Sequence, residues 1–465
     1  MEYSNILKKH KKQCRILLDA LLEKYEFASI LGSHRVAKII SVDDHGSSIN
    51  NRNEAGYTIR LYKDGHYYEY ATDTIDQPVD ELVCHIQDSL VLDEKVSKRI
   101  KKIDVMHEEK LTKVFSRLDE GKVYTIKELK EELTKIHDTI KVQNQLVVAA
   151  NVRMMIREES SMYLSPNKDL EQFYTWTNLN MMAVVRNEKG MKNYHASVNY
   201  NNNERCILEA YERIPELVDT AIMLLDATAI EPGYYDVVVD PSVAGLIAHE
   251  AFGHGVELDM FVKHRAKAVN YVNDYVASPI VSMKDGAAST LSAASYFFDD
   301  DGILAHDTLE IEKGILKHGI SDSLSALQLH QEPTGNGRKE SYLKKSYSRM
   351  TNTFFLPGND KVEDMIASID HGYMICGSSN GMEDPKNWQI QCVATYGKEI
   401  KDGKFTGKIV APVVISGYVP DLLKSISMLS EEYHVFGSGM CGKGFKEWVY
   451  VSDGGPYMKA KVKLG

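Results

Sequence analysis

Hydrophobic positions near the start of the chain recur with two periods. Ile6, Leu7, Cys14, Leu17, Leu18 and Leu21 repeat at helical spacing and predict an amphipathic helix over 4–24. Apolar runs at 27–31 and 36–42 then predict strands. Tyr57-Thr58-Ile59-Arg60-Leu61-Tyr62 alternates up to an Asp64-Gly65 pair, and alternation resumes over 67–71. Asp-Gly flanked by alternating residues marks a β-hairpin. A helix after Pro78 places Val79, Leu82, Val83, Ile86 and Leu90 on one face. Strands and helices joined by short turns give an α+β fold whose N-terminal sheet is antiparallel.

Further on, 94–138 is rich in Lys and Glu and predicts solvated helices, with one apolar stripe at Ile126, Leu129, Leu133 and Ile136. Strands are expected at 142–150, 151–158 and 181–185, and a helix over 204–225 that Pro215 bends. Glu231-Pro232-Gly233 separates this helix from a new strand and marks a boundary. Short strands and glycine-rich turns dominate afterwards, as at 297–299, 311–316, 350–356 and 409–415, with a helix over 419–429. Three regions result: an N-terminal α+β domain over 1–93, a middle helical and strand region over 94–230, and a β-rich domain over 231–465.

One helix in the last region carries the chemistry. It follows an apolar strand at 235–239. Asp240 is suited to cap its free N–H groups, and Pro241 fits its first position. Val243, Leu246 and Ile247 form its apolar face, and His249-Glu250-Ala251-Phe252-Gly253-His254 follows. Histidines five apart on a regular helix point about 140° away from each other. They can share one ion only if the helix is bulged or broken between them, and Gly253 and Gly255 supply the permissive backbone for a π-bulge. Two readings stand at this point. His249 and His254 are two neutral-imidazole zinc ligands with Glu250 as general base, or they are histidines satisfied within a core.

Charge and composition narrow the partners. A net charge of −11 argues against a nucleic-acid binder, which needs a clustered basic face. No apolar run is long enough to span a membrane, and residues 1–12 lack the apolar core of a signal peptide. The basic run Lys8-Lys9-His10-Lys11-Lys12 reads as a solvated helix face before it reads as a contact for an anionic surface. Six scattered cysteines with no C-x-x-C pair fit a reducing cytoplasm.

Residues 249–259, His-Glu-Ala-Phe-Gly-His-Gly-Val-Glu-Leu-Asp, resemble the signature of the TldD/PmbA family, also called modulators of DNA gyrase. The resemblance continues through Asp299-Asp300-Asp301-Gly302, Ile311-Glu312-Lys313-Gly314, Thr334-Gly335-Asn336-Gly337-Arg338-Lys339-Glu340-Ser341-Tyr342 and Arg349-Met350-Thr351-Asn352-Thr353, and ends at Cys441-Gly442-Lys443. It is similar to the TldD branch, which carries the His/Glu motif and is a zinc peptidase; the PmbA (TldE) branch lacks the motif. The resemblance implies that Cys441 provides a thiolate as third zinc ligand, with Lys443 nearby to favour that form. It implies a peptide substrate bound through its backbone as an added strand. It also implies a homodimer, or a heterodimer with a TldE/PmbA-like paralogue.

Glu257 and Asp259 are candidates to orient the histidine N–H groups, or belong to a solvated acidic turn. Asn336 and Arg338 are candidates to bind substrate, or form a structural turn. Two other functions fit the same residues: a non-catalytic regulator of this fold, and a metal-dependent hydrolase of non-peptide amides.

Overall fold

The computed structural model describes residues 2–90, 102–119, 121–443 and 447–465. Ser4 opens helix α1 (Asn5–Leu22) by accepting a hydrogen bond from the Leu7 N–H, and the helix buries Leu7, Cys14, Leu17, Leu18 and Leu21. Ile6, predicted on the same face, meets solvent instead. Strands β1 (Phe27–Asp43), β2 (Gly46–Lys63) and β3 (His66–Thr72) form an antiparallel meander. Asp64 and Gly65 both take positive φ in the predicted hairpin turn. Helix α2 (Val79–Ser89) buries Leu82, Val83 and Ile86 against this sheet's core.

The chain continues through β4 (Leu111–Arg117), α3 (Ile126–Gln143), β5 (Val147–Leu164), β6 (Lys168–Asn187), β7 (Gly190–Tyr200) and α4 (Asn203–Met223). The seven strands make one sheet in the order β3-β2-β1-β5-β6-β4, with β7 also on β6. Every pairing is antiparallel except β4 with β6. Strands from both sides of the expected 93/94 boundary share this sheet, and the boundary itself lies outside the described residues. So does the start of the expected solvated helices, 94–101.

Where described, 111–117 is a strand rather than a solvated helix, because Leu111 and Phe115 pack on Phe298 beneath them. The expected strands at 27–31 and 36–42 are one strand, as are those at 142–150 and 151–158. That second strand begins only at Val147, because α3 runs on to Gln143. Helix α4 passes through Pro215 without ending.

The second sheet has eleven strands. After β8 (Gly233–Val239) and helix α5 (Pro241–Ala248) come β9 (Met283–Asp285), β10 (Thr308–Glu312), β11 (Ile315–Leu316) and β14 (Asn352–Phe355), with the two-residue hairpin β12 (Gly337–Arg338) and β13 (Tyr347–Ser348) standing apart. Next come β15 (His371–Asp384), β16 (Gln389–Lys401), β17 (Lys404–Val410), β18 (Val413–Tyr418), β19 (Met428–Cys441) and β20 (Val449–Leu464).

The order is β11-β10-β9-β14-β20-β18-β16-β15-β8, and β20 also pairs with β8. Strands β20, β18, β16, β15 and β8 therefore form a closed circuit. Val237, Ile375, Cys392, Ile415 and Val462 from these strands share a core with Val243 and Ile247 of α5. The helix lies so close to β20 that a Cβ at Gly245 would overlap the backbone of Gly454. The expected helix over 419–429 stops at Lys424, and 409–415 is two strands parted at Pro412, which has no N–H to give to a ladder. The fold is α+β throughout.

Candidate metal centre

Strand β8 runs straight into the centre. Asp240 Oδ1 accepts from the Val243 N–H at 2.9 Å, and its other oxygen accepts from the Gly377 N–H at 2.9 Å, which ties the start of α5 to β15. Helix α5 gives way at His249 to a π-helical turn over His249–Gly253, followed by a 3₁₀ turn over His254–Val256. The His254 N–H bonds to the His249 carbonyl, so the wide turn spans the two histidines. One extra residue in the turn undoes the 140° divergence of a regular helix. The rings come to 5.2 Å between centroids and stand at 88°.

Cys441, at the end of β19, completes the group. Its Sγ lies 3.2 Å from His254 Nε2, and the ligand atoms of His249, His254 and Cys441 all fall within 4.8 Å of one another. Two imidazoles and a thiolate suit a catalytic zinc, which takes three protein ligands and keeps one open position. Donor atoms on a tetrahedral zinc sit roughly 3.3–3.6 Å apart, given bonds near 2.0–2.3 Å. The trio therefore fits one ion with small side-chain shifts. His249 Nδ1 is buried without a hydrogen-bond partner, and Asp453 Oδ2 faces it at 3.9 Å.

The charge on each of the three donors acts on the other two. Burial opposes charge on all three groups, yet His254 and His249 hold the Cys441 thiol well below the usual thiol range. The thiolate with Glu257 lifts His254 well above the usual imidazole range, and the thiolate with Glu250 lifts His249 to about 9. In Glu250 burial wins over both histidines and raises its carboxyl. Burial likewise lifts Asp453 to about 6.

Residues 232–463 match the family model of the PmbA/TldA metallopeptidase C-terminal domain. A metalloprotease of Methanothermobacter thermautotrophicus is 28% identical over 454 residues, 96% of each chain. This chain belongs to the TldD/PmbA family. A zinc metalloprotease TldD homolog of Saccharolobus solfataricus is 25% identical over 446 residues, covering 94% of this chain and 96% of the relative. TldE from Thermococcus kodakarensis shares the fold, with a TM-score of 0.72 at 18% identity over 97% of this chain and 100% of that one. Members with full-length similarity thus bear the name metalloprotease. Among the described residues of this TldD/PmbA chain, no helix is long and apolar enough to cross a membrane.

The other expected residues divide. Glu257 does receive a histidine: its Oε2 lies 3.3 Å from His254 Nδ1. Asp259 does not, since its oxygens are taken by Lys263 and Lys443. Lys443 in turn serves Glu257, Asp259 and the Ser348 carbonyl rather than the thiol. The group that reaches Cys441 Sγ is Arg349, at 3.0 Å. Asn336 is fully buried and bonds Asp285 and the Arg349 carbonyl, so it is structural and not a substrate contact. Arg338 donates to the Met350 carbonyl. Sequence reasoning missed Arg349 and Asp453; the first stood in a family motif, and the second had no signal of its own.

Strand β15 forms a wall over the catalytic candidate. A Cβ at Gly381 would lie 2.7 Å from Glu250 Oε1 and 2.5 Å from its Cγ. Gly381→Ala is therefore expected to push the Glu250 carboxylate aside while leaving the three donors in place. A 1 Å misplacement can cost on the order of 100-fold in rate. Peptide turnover should fall by about that factor at unchanged zinc content, measured by steady-state kinetics beside elemental analysis.

Proposed function

We propose that this chain is a zinc-dependent peptidase of the TldD branch that hydrolyses unfolded or modified peptides. His249, His254 and Cys441 hold the ion and Glu250 is the general base. The observation that carries the reading is the π-turn, which gathers two histidines and a distant cysteine into one donor set with Glu250 beside it. A structural zinc would be closed by four protein ligands, and a neighbouring base would have no task. Zinc, when bound, supplies a Lewis acid that polarises the scissile carbonyl and acidifies water. Glu250, its proton affinity raised by burial, takes a proton from the attacking water and passes it to the leaving amine.

The backbone next to Glu250 suits a peptide. Strand β8 pairs only with Gly372–Ile375 of β15, so among the described residues 378–384 has β16 on one side alone. Ser378, Ser379, Asn380 and Met382 are exposed there. A peptide added as a strand along this edge passes over Gly381 and Glu250, held by main-chain hydrogen bonds that ignore side chains. We assign it the cytoplasm, from its scattered unpaired cysteines, and a working assembly of a homodimer or of a heterodimer with a TldE/PmbA-like paralogue. Neither a nucleic acid nor a membrane is a partner.

The test is metal removal. The protein should hold about one zinc per chain and cleave an unstructured peptide, alone or with the paralogue. It should lose cleavage on chelation and regain it when zinc returns. Absence of both zinc and cleavage, even with the paralogue, makes the chain a non-catalytic regulator. Turnover of small amides without peptide cleavage makes it an amidohydrolase.

A further inference from the structure

We propose that Arg349 is a positioning residue that couples two of the three metal donors, so that one guanidinium sets both the sulfur and an imidazole. The inference rests on the metal reading above. Arg349 is fully buried. Its Nη2 donates to Cys441 Sγ at 3.0 Å and to the Cys441 carbonyl at 2.9 Å, and its Nη1 to the Glu447 carbonyl. Its Nε points to Glu257 Oε1 at 3.3 Å. The second oxygen of Glu257 faces His254 Nδ1 at 3.3 Å and Lys443 Nζ at 3.1 Å.

Each arm has a distinct consequence. Glu257 is an ion-paired carboxylate, held between the Arg349 guanidinium at 3.3 Å and the Lys443 ammonium at 3.1 Å. An ionised carboxylate only accepts, so His254 Nδ1 must donate. His254 Nε2, which faces Cys441 Sγ, is left as the donor atom for an ion. On the other arm, a charge-assisted hydrogen bond to sulfur fixes the rotamer of the thiolate and withdraws electron density from it. A lysine could not do both, because its single nitrogen cannot span the sulfur and the carboxylate as a planar fork does.

The fold keeps the fork in place through the glycine-rich loop that precedes it. The Arg349 N–H donates to the Asn336 carbonyl, and Asn336 Nδ2 donates back to the Arg349 carbonyl at 3.1 Å. Arg338 takes the next carbonyl, that of Met350. Asp285 accepts from the Thr351 N–H at 2.9 Å and from its hydroxyl at 2.8 Å. The Thr-Gly-Asn-Gly-Arg stretch is thus the clamp for Arg349. A merely structural arginine would staple the chain around Cys441 through its carbonyls and leave the donors unaffected.

The test measures metal, not turnover, in wild type, Arg349→Lys and Glu257→Gln. Zinc dissociation constants come from chelator competition, the sulfur-to-metal charge-transfer band from cobalt(II)-loaded protein, and folding from thermal melts. Arg349→Lys should weaken zinc by roughly 10- to 100-fold. It should also move the band to lower energy, since a sulfur relieved of its hydrogen bond gives up charge more easily. Glu257→Gln should weaken zinc by a similar factor and leave the band in place, because Arg349 still meets the sulfur.

A folded Arg349→Lys protein with wild-type affinity, or with an unmoved band, overturns the proposal. If that variant does not fold, Glu257→Gln decides, and unchanged affinity overturns it. A protein that binds cobalt as described yet cleaves no peptide refutes the peptidase reading and leaves the role of Arg349 intact.

Discussion

Replacing Glu250 with Gln should leave zinc bound and lower peptide cleavage by on the order of 10²- to 10⁴-fold, the usual contribution of a general base. The substitution keeps shape and volume. Glu250 lies outside the trio whose ligand atoms converge, so the amide removes no donor from the ion. Burial already opposes the carboxylate's charge, so a neutral isostere has no desolvation to overcome. The loss should fall on kcat with KM little changed, the pattern of an interaction made only in the transition state. Zinc content and steady-state kinetics on the same preparation check this. A Gln variant as fast as wild type means that another group takes the proton.

The second large effect belongs to Cys441. Cys441→Ala should cut zinc affinity by more than the roughly 10- to 100-fold that loss of an outer partner costs, because two terms act in the same direction. A donor disappears, and a buried guanidinium loses the anion it faced. Arg349 Nη2 would then point its charge at the ion from where the sulfur had been. Chelator competition gives the number, and an unchanged constant would mean that the third donor lies elsewhere. Peptide cleavage should fall with occupancy and recover in part at high zinc, whereas Glu250→Gln should not respond to zinc at all.

Much of this was legible because local chemistry dictated it. Ser4 caps α1, Asp64-Gly65 turns the first hairpin, and Asp240-Pro241 opens α5, all as their residue types require. The five-residue spacing of His249 and His254 could serve one ion only if the helix were bulged or broken, and a π-turn stands there; Gly253 within it has ordinary helical angles, and its missing side chain makes room for Met350. Strands failed where burial broke the period of two. Gln172 through Leu179 of β6 are buried on both faces, so no alternation appears there. Gly46 through Asn53 of β2 are exposed on both faces, so they offer no alternation either. Arg349 was illegible for another reason. Its partner Cys441 lies 92 positions away, and no pattern in a sequence says which cation will fold beneath a given sulfur.

Strand β20 has a place in the sheet with consequences for biosynthesis. It pairs with β8, β14, β18 and β19, so the middle of the sheet is made after every strand around it. The cysteine of the centre meets a histidine 187 positions earlier, and Asp453 opposite His249 sits on β20 itself. A nascent chain therefore carries its histidines and its base long before it can hold them around an ion. For the proposed peptidase this means that no unfolded chain, its own included, meets an assembled centre before β20 enters the sheet.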